Sequence, residues 1–259
     1  MPSTLIAVFP DLPALTLAAA RDFITLANEV VARRGVFSVA LAGGSTPSSL
    51  YRLLAADPGL RALVPWSRIH FFFGDERHVP PEDAQSNFRM VNEAMFQPLA
   101  GEVIHAHRIH GELAGAQEAA ARYEADLREF FSSQGTIAGG FPRFDLILLG
   151  IGTDGHTASL FPGTPGLEET RRWVVAHRVE KLGADRITLT FPVLNNAAAV
   201  IVFVAGADKA AVVADVLDRA PGTLRYPIQR VRPHDGTLRW RLDKPAASQL
   251  SGMLQAESS

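Results

Sequence analysis

The 259-residue sequence contains no cysteine. That excludes disulfides, thiolate metal sites and cysteine nucleophiles together, and it suits a cytoplasmic protein. Long hydrophobic runs are missing too. The longest near-apolar stretch, Ala197 to Ala207, falls far short of the ~20 residues that cross a bilayer. Excess charge of either sign is absent: 25 basic against 27 acidic residues give a formal net charge of −2. Nothing global therefore points to nucleic acid or an anionic membrane as partner. The N-terminal "MPSTLIAVFPDLPALTLAAA" lacks a basic n-region, and Pro10, Asp11 and Pro13 interrupt its apolar stretch, so it is not read as a signal peptide. The expectation is a soluble, cytoplasmic protein.

What is present is alternation. Apolar residues make up 47% and charged residues 20% of the chain, ordinary values for a globular protein with a substantial core. Strand-like runs are Leu5–Phe9, Val36–Leu41, Ile69–Phe73, Leu146–Leu149, Trp173–Ala176, Ile187–Leu189 and Val200–Val204. Several are apolar at every position, as in strands covered on both faces. Helical patterns lie between them at Pro13–Arg34, Pro47–Ala56, Asn87–Phe96, Gln117–Ser132 and Asp208–Arg219. Such alternation predicts an α/β fold with a mostly parallel central sheet and helices on both faces. The glycine-rich Gly135–Pro142 is too short to argue for separate units, so one domain over residues 1–259 is expected.

Open α/β sheets bind ligands beyond the carboxyl ends of their strands. Four apolar runs in turn end in glycine plus polar residues: "AGGSTP", "GDERHVP", "GIGTDGH" and "AGADKA". A turn-only reading explains one such loop easily and four together poorly. In "AGGSTP", Gly43 and Gly44 let the backbone approach an anion, and Ser45 or Thr46 can cap a helix that Pro47 opens. The helix start then offers N–H groups and a favourable dipole to a phosphate. No lysine follows at Walker A spacing.

"FFFGDERHVP" places Asp75, Glu76, Arg77 and His78 directly after a strand. Arginine there suits a carboxylate, a phosphate or a developing oxyanion. "GIGTDGH" is not a dinucleotide fingerprint, since Asp154 and His156 occupy the turn. The pair on a glycine-flanked loop is a reasonable general base. Arg186 and Lys209 are isolated cations. The tract "HAHRIH" (His105, His107, His110) is by itself weak evidence for a metal, and none is assigned. No G-x-S-x-G elbow is present, so a serine-hydrolase mechanism on that fold is unsupported.

Together, "LAGGSTP", "FFGDERHVPPEDAQSNF", "LLGIGTDGHTASLFPG", "RITLTFPVLNNA", "VAGADKA" and the tail "GTLRWRLDKPAA" resemble the 6-phosphogluconolactonase family in consistent order. That resemblance implies a Rossmann-like three-layer α/β sandwich and hydrolysis of 6-phospho-D-glucono-1,5-lactone in the oxidative pentose phosphate pathway. His156 would be the general base and Asp154 would orient it. Arg77 would hold the lactone carbonyl. The "GGSTP" backbone (Gly43, Gly44, Ser45, Thr46), Arg186 and Lys209 would bind the 6-phosphate. Asp75 and Glu76 would either join the chemistry or buttress Arg77. No metal or organic cofactor is implied. The expected partner is the small sugar-phosphate lactone, not nucleic acid or membrane, with the chain acting as a monomer or weak homo-oligomer.

Two rival readings share the fold. The related glucosamine-6-phosphate deaminase/isomerase branch carries an acid five residues after the histidine and a tyrosine after "DE". Here those positions are Phe161 and Arg77. A non-catalytic sugar-phosphate sensor usually carries a DNA-binding appendage and tends to lose catalytic residues. This sequence shows no basic N-terminal helix-turn-helix and retains both His156 and Arg77.

Overall fold

Each apolar run feeds an amphipathic segment, and the structure follows that alternation. The computed structural model describes residues 4–218 and 224–251. The chain opens with β1 (Thr4–Phe9), α1 (Leu12–Arg34), β2 (Phe37–Leu41), α2 (Ser45–Ala56), the short α3 (Pro58–Arg61) and β3 (Ile69–Phe73). It continues through β4 (Asp75–Arg77), α4 (Asn87–Val91), β5 (His105–Ala106), α5 (Ala116–Ser133), β6 (Ile137–Ala138), β7 (Phe141–Pro142) and β8 (Leu146–Leu149). The remainder is β9 (Val174–Val179), β10 (Ala184–Leu189), α6 (Phe191–Asn196), β11 (Ala199–Val204), α7 (Ala210–Leu217) and β12 (Thr237–Asp243).

Seven strands form one sheet in the order β1-β12-β11-β8-β2-β3-β5. Every neighbouring pair in it is parallel. Side-chain alternation shows that both faces are covered. On one face, Phe37 of β2 meets Phe23 of α1, and Phe71 of β3 meets Trp66 and Phe96. On the other, Phe72 meets Phe130 and Phe131 of α5. Adjacent residues of one strand point to opposite sides, so the helices lie on both.

Local signals set the elements. Asp11 caps α1 by accepting from the Ala14 N–H at 2.9 Å, and Gly35 closes it in the left-handed conformation at φ 79°. Leu15, Ala19, Phe23, Ala27 and Val30 repeat at helical spacing and are buried. The Asp145 carboxylate, 7% exposed, takes Arg34 at 2.6 Å and the Ser38 N–H and hydroxyl at 2.8 Å, tying β8 to β2 and to the end of α1.

Several elements differ from the sequence expectation. Residues 173–176 and 187–189 are not strands of the main sheet; β9 and β10 form a three-stranded antiparallel sheet with β4. Both β5 and β12 join the main sheet without having been read as strands. Helix α2 starts at Ser45, with Gly44 as its N-cap and no side-chain cap, rather than at Pro47. The segment read as one helix over Asn87–Phe96 becomes a π-type turn from Asn92. Residues 207–209 are a 3₁₀ turn, and the expected end at Arg219 lies outside the described residues. Gly135–Pro142 contains the hairpin β6–β7. Among the described residues no helix is long and apolar enough to cross a membrane.

Candidate active site

β2 and β8 lie side by side in the middle of the sheet. From β2 the chain moves through β3 toward β5, and from β8 through β11 toward β12. The strand order therefore reverses between them, which defines the crevice where such sheets bind ligands. A cleft of about 530 Å³ opens there between the loops that leave β11, β8, β2 and β3. Gly43, Gly44, Ser45 and Thr46 enter it from β2, and Asp154 and His156 from the loop after β8. Asp75 and Arg77 reach it from β4, Arg186 from β10 and Lys209 from the turn before α7. Of the site residues implied by the resemblance, Glu76 alone does not line it.

The reason is strand periodicity. "DER" is not a loose strand-end turn but β4, so Asp75 and Arg77 share one face and Glu76 takes the other. Glu76, 2% exposed, accepts from the Asn87 N–H at 2.7 Å, the Phe88 N–H at 2.8 Å and the Ser86 hydroxyl at 3.1 Å. It is the anchor of the α4 start. Burial nevertheless pushes its carboxyl pKa up. Glu76→Ala should lower stability by about 2 kcal/mol or more, since each buried donor left without an acceptor costs ~1–3 kcal/mol. Urea unfolding measures this. Unchanged stability with lost activity would instead place Glu76 in the chemistry.

Asp75 holds three segments together. Its Oδ2 accepts from the Ser159 hydroxyl at 2.6 Å, and its Oδ1 and main-chain carbonyl accept from the Asn87 amide at 3.3 and 3.0 Å. Asn87 in turn packs so closely on Gly43 that a Cβ there would lie 2.1 Å from its Oδ1. Gly43 thus makes room for Asn87, not only for an anion. Asn87 and Ser159 were not singled out from sequence, although both lie within quoted motifs.

The cleft carries a helix start and several cations. Ser45 and Thr46 are the first residues of α2, where helix N–H groups lack acceptors of their own, and Pro47 has no N–H to lose. Arg77 and Arg186 stand directly opposite each other across β4 and β10. Like charges in that register repel, so negative charge beside either of them, on a bound ligand, is favoured. Arg186 is only 8% exposed; burial and then the Arg77 guanidinium lower its pKa, while Asp75 opposes this. The Arg77 guanidinium donates to the Gln85 carbonyl, which fixes its direction.

The loop after β8 carries an imidazole. His156 Nδ1 lies 2.5 Å from Asp154 Oδ1, and Nε2 has no hydrogen-bond partner among the described residues. The loop is closed by the Gly152 N–H donating to the His156 carbonyl at 2.9 Å. A Cβ on Gly152 would sit 2.1 Å from the imidazole, so only glycine leaves the ring its place. Ala158, two residues on, is held at φ 46°, a strained conformation of the kind that collects at functional sites. Burial, reinforced by Lys209, Arg186 and Arg77, pushes the imidazole pKa down to about 4, against the pull of Asp75. The ring is therefore neutral near pH 7 and able to accept a proton.

Two further residues frame the imidazole. Phe161 stacks on it with ring centroids 4.0 Å apart, and Lys181 donates to Asp154 Oδ2. Lys181 was not singled out from sequence, where it is one lysine between two apolar runs. The histidine tract contains the edge strand β5: His105 stacks on His70, and His107 shares a 2.9 Å hydrogen bond with it. Among the described residues no group of three or more His, Cys, Asp or Glu side chains could hold a metal ion.

A helix start, paired guanidinium groups and a histidine–aspartate pair around one switch-point crevice define an α/β protein with a polar, cation-lined ligand site. The chain belongs to the family of glucosamine-6-phosphate isomerases and 6-phosphogluconolactonase, whose model matches residues 10–240. It is 38% identical over 244 residues to the 6-phosphogluconolactonase of Nostoc sp., covering 94% of this chain and 97% of that one. It is also 38% identical to the protein of the same name from Synechocystis sp., covering 87% of this chain and 90% of the relative. The solved 6-phosphogluconolactonase from Trypanosoma cruzi superposes with a TM-score of 0.81 at 28% identity, over 96% of this chain and 97% of that one.

Proposed function

We propose that the chain hydrolyses 6-phospho-D-glucono-1,5-lactone to 6-phospho-D-gluconate, in the oxidative pentose phosphate pathway. The observation that carries this reading is the single cleft joining a neutral, aspartate-held His156 to cations from three chain segments. The substrate is a charged sugar phosphate retained inside cells, so the reading includes a cytoplasmic enzyme, active as a monomer or weak homo-oligomer.

The chemistry follows from these groups. The Ser45 and Thr46 N–H groups, Arg186 and Lys209 bind the phosphate, a remote handle that positions the ring. His156 Nε2 takes a proton from water as its oxygen adds to the lactone carbonyl carbon. Arg77 donates to the carbonyl oxygen as it becomes an oxyanion. The tetrahedral species collapses by breaking the bond to the ring oxygen, which receives the proton from His156 and becomes a hydroxyl. Asp154 stays ionised throughout and keeps Nδ1 in place. General-base catalysis contributes ~10²–10⁴-fold and an oxyanion donor ~10²–10³-fold, enough for an activated ester. Phe161 argues against the deaminase reading, because a phenyl ring on His156 cannot support it as an acid would.

The direct test follows acid release from freshly made 6-phosphoglucono-δ-lactone, with unphosphorylated gluconolactone as control. Hydrolysis no faster than the spontaneous rate overturns the reading. Arg77→Lys separates the two guanidinium groups. It keeps the charge and loses the planar fork of donors, so turnover should fall clearly on both lactones. A loss confined to the phosphorylated lactone would mean that Arg77 shares the phosphate with Arg186, and unchanged kinetics would leave "DER" purely structural.

A further inference from the structure

The mechanism above leaves Lys181 unused, yet it touches both groups that hold the imidazole. It sits in the turn Glu180–Leu182 at the tip of the β9–β10 hairpin, followed by Gly183 in the left-handed conformation. Its ammonium donates to Asp154 Oδ2, while Oδ1 of the same carboxylate faces His156 Nδ1. The same ammonium lies 4.8 Å from the centroid of Phe161, the ring stacked on His156. Lys181 and Leu182 both line the cleft, and Leu182 is 47% exposed there.

We propose that Lys181 is a positioning residue: from the hairpin tip it holds Asp154 and Phe161 against His156 and so sets the orientation and charge of the imidazole. This rests on the lactone-hydrolase reading. An aspartate that close to Nδ1, left alone, favours the protonated ring, because an opposite charge within ~4–6 Å stabilises the charged form. A cation on its second oxygen offsets that field while leaving the hydrogen bond that orients the ring. The other charged groups facing His156 are Asp75 and Arg77 from β4, Arg186 from β10 and Lys209 before α7. The hairpin that carries Lys181 at its tip carries Arg186 in β10, so one element brings both cations to the cleft.

The test compares Lys181→Met, which keeps a long apolar stem beside Phe161 without the charge, with Lys181→Arg, which returns the charge. In Lys181→Met the kcat on 6-phosphoglucono-δ-lactone should fall ~10-fold with KM within about twofold, as expected when a base is misoriented and not when binding is lost. The acid limb of kcat should move up by about one pH unit, and Lys181→Arg should restore both. The imidazole titration of His156, followed by NMR without substrate and assigned by its loss in His156→Ala, should move up by the same amount. That measurement does not depend on turnover, so it decides the role of Lys181 even if the wild type hydrolyses no lactone. An unmoved His156 titration overturns the proposal. So does a loss confined to KM for the phosphorylated lactone, which would make Lys181 a phosphate contact.

Discussion

His156→Ala should lower turnover of the phosphorylated lactone by a factor on the order of 10² or more, the usual worth of a positioned base. No neighbour can take its place. Asp154 is engaged by Lys181, and Asp75 is committed to Ser159 and Asn87. Phosphate binding should be undisturbed, because α2, Arg186 and Lys209 belong to other segments. Binding of 6-phosphogluconate, measured by calorimetry, should stay within a few-fold of wild type. Turnover near the wild-type value, after subtraction of spontaneous hydrolysis, would remove His156 from the mechanism.

Arg186→Ala and Lys209→Ala should each cost about 10- to 100-fold in kcat/KM on 6-phosphoglucono-δ-lactone, because hydrogen bonds from charged groups contribute ~1.5–3 kcal/mol. The loss on gluconolactone should be small, since that substrate has no phosphate to miss. Inorganic phosphate should compete with substrate in the wild type and less well in either variant. Stability separates this from a folding defect. Removing Arg186 also removes the like-charge register with Arg77, so thermal unfolding should not fall with the specificity constant. Equal losses on both lactones would show that these cations serve the fold or the chemistry, and would move the phosphate site elsewhere.

The strands that carry the site were legible because they are apolar at nearly every position. β2, β8 and β11 are buried along their whole length, and such runs stand out without knowledge of their neighbours. β12 was not legible for the opposite reason. It lies between β1 and β11, yet it alternates Leu238, Trp240 and Leu242 with Arg239 and Arg241. Those arginines are accommodated by Asp22 of α1, a partnership more than two hundred residues away that no local pattern announces.

The site was readable residue by residue but not face by face. Asp75, Glu76 and Arg77 looked alike as a charged cluster. Only the pairing of β4 with β10 decides that the outer two face the cleft and the middle one anchors a helix. Lys181 was illegible for a related reason, since nothing in "VEKLGADR" shows that the hairpin reaches Asp154. The departure at Phe161 was visible in the sequence; its stacking on the histidine was not.

The strand order carries a consequence for synthesis. β1 and β12 are the first and last strands among the described residues, and each is the other's neighbour, with β1 at the rim. At ~5–20 residues per second, the interval between the emergence of Phe9 and Thr237 lasts roughly ten to fifty seconds. Throughout it β1 has no strand to pair with, although Leu5, Ile6 and Val8 make it a ready template for another chain. The strands whose loops make the cleft, β2, β3, β8 and β11, are complete before β12 appears. A nascent chain therefore has the scaffold of its active site in hand while its first strand still waits, and crowding on the ribosome endangers the rim before it endangers the centre.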